Sequence, residues 1–368
     1  MLRPAMKFGT FHIRQLHESE RDDRAYHQEL EQIEYAEELG FDAVWLAEHH
    51  FSRYSIIPDP MVMLANMAQR TRRVRIGVAV EVLPLHNPIR LAEQIATVDI
   101  LSGGRLDVGL GRGYQKGEFE SLGQDLMHSR ERFKEAYELL QLAWKPGQFS
   151  YTGKHFTVPP MEVYPKPLQK PHPPLWIASS GTPETMDWIA GQRLPFIRGA
   201  YLRTADIPGQ LDRYVTVRHE AGHAEADIQR DLANCVVSRK VYVAPTEQEA
   251  RETIFEPLWW VNTIQAKVTL PTQSKDDLNL VPYNYQRAQR LKLSQASFEE
   301  LWEREVLGDV DRCVKLVQDM VDAGVQYFLF LFSFGGLEHK KVLQSMKTFA
   351  TEVLPQVKAA QAAKAKAR

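Results

Sequence analysis

Short apolar runs bounded by turn residues alternate with longer segments of helical period along most of the chain, and this alternation restricts the fold more than any other feature. Such runs become parallel strands, each followed by a helix that returns the chain to the same end of the sheet. The pattern predicts eight strands, at 7–11, 43–47, 74–82, 106–110, 175–178, 196–199, 236–243 and 327–332. Helices are expected between them. The segment 26–39, for example, sets Leu30, Ile33, Tyr35, Ala36 and Leu39 on one stripe and meets Gly40 where a C-terminal cap belongs. Eight such units fill a TIM barrel of ~250 residues, and a chain of 368 leaves room for insertions. An open doubly wound sheet would alternate similarly, but no G-x-G-x-x-G follows the first strand. The expected fold is a (β/α)8 TIM barrel with insertions in the βα-loops. One domain is expected over 1–357, followed by a disordered Ala/Lys-rich tail over 358–368.

Two segments break the rhythm. Residues 148–174, rich in Pro, Tyr and Lys, read as an extended excursion before the fifth strand; residues 268–295, with Pro271 and Pro282, interrupt the helical pattern before the last one. Long βα-loops lie at the catalytic end of a barrel, so each is either a lid or a decoration.

Composition narrows the function classes. A formal net charge of −2 does not suit a protein that tracks a phosphate backbone or an anionic membrane surface, so neither nucleic acid nor membrane is an expected partner. Cys235 and Cys313 stand far apart and outside any CxxC pattern, which argues against a disulfide framework and a cysteine zinc site. No secretory h-region opens the chain, and no apolar run approaches about 18 residues. A cytoplasmic location is expected.

Three clusters can carry chemistry. The second strand runs into Glu48, His49, His50 and Phe51, which a barrel would place on its catalytic face. A histidine there can exchange a proton near neutral pH; adjacent histidines alternate in direction, so at most one faces the barrel axis. A pair of capping or surface histidines would look the same. The fourth strand ends in Gly109, Leu110, Gly111, Arg112, Gly113 and Tyr114, offering unobstructed backbone beside a guanidinium for a flat ring or a phosphate, although glycines also simply make tight turns. The fifth leads into Ser179, Ser180, Gly181, Thr182 and Pro183, which is either an anion site at a helix start or an ordinary N-cap. His219, Glu220 and His223 fit H-E-x-x-H literally, but Gly222 inside the motif reads better as the end of a helix, and no third ligand is near.

In this order the clusters resemble the bacterial luciferase-like flavin monooxygenases over nearly the whole chain. The resemblance rests on Trp45 to Phe51, Asn87 to Glu93, Ser102 to Arg105, Gly109 to Tyr114, Ser129 with Arg130, and Ser180 to Thr185. It implies a barrel that binds reduced FMN at the strands' C-terminal ends. Arg112 and Arg130 would hold the flavin phosphate together with Ser180 and neighbouring backbone at Gly181 and Thr182. Gly111 and Gly113 would border the ring, and Ala79–Val80 matches a place where the family can carry a non-proline cis peptide beneath it. His49 matches the active-site histidine, with Glu48 orienting or tuning it. The implied reaction is a monooxygenation: reduced FMN from a separate NAD(P)H:flavin reductase reacts with O2 to give a C4a-hydroperoxide, which oxygenates a small organic substrate. Family members are often homodimers. Gly111 departs from the light-emitting members, which carry a cysteine there, and a small residue at that point leaves more room near the flavin. Alternatives are an F420-dependent hydride-transfer enzyme on the same barrel, a TIM-barrel metal hydrolase using Glu48, His49 and His50, and a non-catalytic flavin-binding relative.

Overall fold

The computed structural model describes residues 6–199, 202–269 and 291–366. Its strands are β1 (Lys7–His12), β2 (Ala43–Leu46), β3 (Arg75–Val82), β4 (Leu106–Gly111), β5 (Phe149–Thr152), β6 (Thr157–Met161), β7 (Leu175–Ala178), β8 (Phe196–Arg198), β9 (Val236–Val243), β10 (Val306–Gly308) and β11 (Tyr327–Leu331). Eight of them close into a parallel barrel: β1, β2, β3, β4, β7, β8, β9 and β11, with β11 returning to β1. All eight expected strands are present, with edges shifted by a residue at most. The short β10 adds to the far half of β9, Val306 lying opposite Val241.

Helix boundaries follow local chemistry. Asn87 accepts hydrogen bonds from the N–H groups of Ile89 and Arg90 with Pro88 next in line, and this fixes the start of the helix Pro88–Leu101. Asp59 before Pro60 and Asp309 before Val310 act in the same way. Gly222, at φ 71°, ends the helix Ile207–Glu220, as the sequence predicts. The His223 ring therefore sits off that helix, where its Nδ1 accepts from Arg218.

Three features depart from the sequence reading. The excursion at 148–174 contains a two-stranded antiparallel hairpin, β5–β6. The short helix Lys116–Ser121 was not expected, because six residues show too little periodicity to register. The tail expected to be disordered from 358 continues the helix Leu354–Lys366. Ala and Lys are strong helix formers, and burial of Val353, Leu354 and Val357 anchors its first turns. Lys364 closes onto both Asp322 oxygens at 2.7 Å. Most of the 268–295 insertion, residues 270–290, lies outside the described residues.

Side-chain parity separates an outer layer, where strands meet helices, from the barrel interior. The interior at the strands' N-terminal half is filled by Ala43, Trp45, Trp176, Ile197, Val236, Tyr327 and Leu329. Trp45 and Trp176 meet edge to face with centroids 5.0 Å apart, and Trp45 Nε1 donates to the Tyr327 hydroxyl at 3.0 Å. Gly77 makes this possible, since a Cβ there would stand 2.7 Å from the Trp45 ring. The lower barrel is a packed plug, so the space left for a ligand is at the strands' C-terminal ends. Among the described residues no helix is long and apolar enough to cross a membrane.

Candidate active site

A cavity of about 450 Å³ opens at those ends and is lined by residues from every barrel strand or the loop that follows it. That volume is within the usual range for organic ligands and cofactors. His49, Ala79, Val80, Gly111, Arg112, Gly113, Arg130 and Ser180 all line it, as does Glu48, while Gly181 and Thr182 form the turn between Ser180 and Glu184.

The two histidines after β2 diverge. His49 Nδ1 lies 2.9 Å from Glu118 Oε1 and 2.9 Å from Gln115 Nε2. A carboxylate is the stronger partner and only accepts when ionised, so the contact favours a proton on Nδ1, with the Gln115 amide turned to present its oxygen, and leaves Nε2 facing the cavity without a proton. The rings of Tyr54 and Tyr114 flank the imidazole, with centroids 4.9 and 5.8 Å away. Glu118 also accepts the His50 N–H at 3.0 Å, which ties the loop to the helix Lys116–Ser121. Sequence reasoning missed Gln115 and Glu118, and with them the partner of His49. It had given the tuning role to Glu48, but the carboxylate on His49 is that of Glu118.

Glu48 is engaged elsewhere. His50 Nε2 lies 2.8 Å from its Oε1, His86 Nε2 is 2.9 and 3.0 Å from its two oxygens, and the Val82 N–H donates to Oε2 at 2.5 Å. Burial alone would raise this carboxyl, but the His86 charge and the hydrogen bonds from His50, His86 and Val82 outweigh it and hold Glu48 at about 2. Burial likewise opposes the charge on His86, yet Glu48 and Glu81 raise it to about 9. Glu81, buried and facing the Glu48 charge, is pushed well above the usual carboxyl range. Among the described residues, Glu48, Glu81 and His86 form the one group whose ligand-type atoms lie close enough together to hold a metal ion. His49 and His50 are not part of it.

The peptide between Ala79 and Val80 is cis, at the point where the β3–β4 register shifts. Beside it stands Gly111. A Cβ on Gly111 would fall 2.2 Å from Val80 Cγ2, so the room that the small residue appeared to leave near a flavin is filled by Val80. Gly113, at φ 78°, is similarly enclosed by Val82 and Phe119.

The third cluster forms a helix start of the kind that binds anions. Thr182 precedes the helix Pro183–Gly191 without capping it through its side chain, Pro183 takes the first position, and Thr182 Oγ1 donates instead to Thr185 Oγ1 at 2.8 Å. The Gly181 N–H donates to Ser179 Oγ at 2.9 Å. Arg130 reaches across to pair with Glu184, whose carboxyl is lowered by that hydrogen bond and by the Arg130 and Arg112 charges.

The chain is similar to known proteins over most of its length. The family model for luciferase-like monooxygenases matches residues 6–327. The chain belongs to the luciferase-like monooxygenase family. It is 30% identical over 249 residues to the oxygenase component of the flavin-dependent trigonelline monooxygenase of Acinetobacter baylyi, covering 67% of each chain. It is 37% identical over 185 residues to the uncharacterized protein y4vJ of Sinorhizobium fredii, where the match spans about half (51%) of that protein's length. Among solved structures, the monooxygenase RslO1 from Streptomyces bottropensis superposes with a TM-score of 0.80 at 25% identity, covering 95% of this chain and 99% of that one. Membership makes the protein an oxidoreductase with a flavin-type cofactor.

Proposed function

We propose that the protein is the oxygenase of a two-component system, which takes reduced FMN from a separate NAD(P)H:flavin reductase and uses O2 to oxygenate a small organic substrate. The observation that carries this reading is that one cavity holds both the oriented His49 and the set Arg112, Arg130 and Ser180. A relative named as an oxygenase component supports the separate reductase.

The donor set suits FMN. Two guanidiniums and a helix start offer charge-assisted hydrogen bonds to a phosphate dianion, and Ala79, Val80 and Gly111 give an apolar wall for a ring to lie against. When bound, reduced FMN supplies the electrons and the site at which O2 is activated. The chain's own groups do the rest. Arg112, Arg130 and Ser180 anchor the cofactor, and the plug beneath keeps water out from below. His49 Nε2 accepts or returns a proton at the reacting oxygen, with Glu118 holding the imidazole in its Nδ1–H form. Glu48 acts at one remove, fixing His50, His86 and the loop that carries His49.

Incubation with NADH, a flavin reductase, FMN, 18O2 and a panel of organic compounds, read by mass spectrometry, tests the reaction. One 18O atom in a product is expected. His49→Ala should impair oxygenation far more than FMN binding, and Arg112→Ala should do the reverse. Tight binding of F420 with none of FMN would overturn the cofactor assignment, and stoichiometric zinc whose removal abolishes activity would overturn the reaction class.

A further inference from the structure

The cavity is charged unevenly around its circumference. Seven of the side chains lining it are Lys or Arg and four are Asp or Glu. Arg112, Arg130 and Lys134 stand on the side of β4, where Arg130 meets Glu184. Two and three strands further round are Arg198 at the end of β8 and Arg239 and Lys240 midway along β9, joined by Arg304 from the segment leading into β10.

The carboxylate lining that second side is Glu305, and Lys240 takes it. Lys240 Nζ lies 2.9 Å from Oε1, and the Lys240 N–H donates to Oε2 at 2.8 Å. An ammonium has three donors, so this pairing positions Lys240 without exhausting it. Arg239, only 2% exposed, lies opposite Phe330 on the outer face of β9, where it donates to the Ser238 carbonyl at 2.9 Å and the Leu202 carbonyl at 2.6 Å. Arg198 donates to the Ser179 carbonyl at 2.7 Å. Half-buried Arg304 acts on Asp206, which Arg203 already clasps through two hydrogen bonds of 2.7 and 2.9 Å. Arg198, Lys240 and Arg304 outnumber the carboxylate that lines this side, and a cationic surplus partly withdrawn from water favours the arrival of a counter-charge. The neighbouring wall is aliphatic or neutral, with Val261, Leu301 and Leu331 beside Asn262 and Gln265.

Aliphatic wall and cationic surplus together describe the counterpart of an organic anion with a hydrocarbon body and an oxyanion head. Resting on the flavin reading, which assigns the cofactor phosphate to Arg112 and Arg130 and leaves these cations for a second ligand, we propose that Lys240 and Arg304 receive a carboxylate carried by the substrate. They are specificity-determining residues: they select the anionic member of any pair of otherwise similar compounds and orient its body toward His49.

Calorimetric titration of the FMN-saturated protein with matched pairs tests this, using acetate and acetamide, benzoate and benzamide, and nicotinate and nicotinamide. At least one carboxylate is expected to bind roughly tenfold to a hundredfold tighter than its amide. Arg304→Gln should remove most of that preference and Arg304→Lys restore part of it, with Lys240→Gln acting like Arg304→Gln. No preference in any pair, or a preference undiminished by Arg304→Gln, overturns the proposal. FMN titration of the same samples is read separately. Absence of FMN binding defeats the flavin reading, whereas the carboxylate comparison and its response to Arg304→Gln still decide the anion site in flavin-free protein.

Discussion

Val80 occupies the space that a side chain at position 111 would need. Its Cγ2 methyl lies 2.2 Å from the Cβ that any residue other than glycine would place there, and a β-branched side chain has little rotamer freedom with which to move aside. Glycine at 111 and valine at 80 are therefore one packing solution. Gly111→Ala should destabilise the protein by about 1–3 kcal/mol, and Val80→Ala in the same chain should recover most of the loss. A double-mutant cycle in thermal unfolding measures the coupling; strictly additive effects would disprove it.

Glu118 sets the tautomer of His49 from 69 residues away in sequence. Glu118→Gln keeps the shape but removes the anionic acceptor, so the imidazole loses its preference for Nδ1–H. Oxygenation should fall by about 10²-fold with FMN affinity little changed. Single-turnover rates beside flavin titrations distinguish this from a damaged cofactor site.

The Glu48–His86 pair gives the fold a pH window. A carboxyl lowered from 4.5 to about 2 stabilises the protein fully above 4.5 and stops doing so as pH falls through about 2. An imidazole raised from 6.5 to about 9 stabilises it fully below 6.5, and that contribution fades as pH rises through about 9. Both are complete between about 4.5 and 6.5. Melting temperature should decline between pH 6.5 and 9.5 in the wild type, and more weakly in His86→Gln, whose melting point should be lower throughout the window. Thermal scans by circular dichroism across this range check both statements.

Arg130 is shared between Glu184 and the phosphate it is proposed to bind. Glu184→Gln removes the competitor. FMN should bind several-fold tighter to this variant, and the gain should shrink at high salt, where exposed charges are screened. Fluorescence quenching of FMN at two ionic strengths reads it; weaker binding would mean that Glu184 supports the phosphate site.

Trp45 is fully buried in the barrel plug, against Trp176 and Tyr327. Trp45→Ala should cost about 3–5 kcal/mol, seen in denaturant unfolding, and should leave Tyr327 without its indole donor.

The strands were legible because their signal is local: runs such as Tyr327–Leu331 are apolar on both faces and end at turn residues. The surroundings of His49 were legible only in part. Its place at the end of β2 follows from the alternation, but Glu118 arrives on a six-residue helix with no periodic signature, and nothing near Glu118 announces a histidine partner. Glu48 illustrates the converse. Adjacency in sequence pointed it at His49, whereas strand geometry sends neighbouring side chains to opposite sides, so its partners became His50 and His86. The cations Lys240 and Arg304 went unremarked because a strand and a connecting segment had to converge before they formed a pair. The tail misled because low complexity resembles disorder until its first apolar turns find a groove.

The aromatic plug also has a kinetic meaning. A vessel stoppered at the base fills from its mouth, so whatever lies deepest has to enter first and leave last. With the ring system seated against Val80 and Gly111, the organic compound would become the lid on its own reaction chamber. Turnover would then run as a queue with a fixed order of boarding, in which the rate of clearing the doorway can limit the cycle as readily as the chemistry inside.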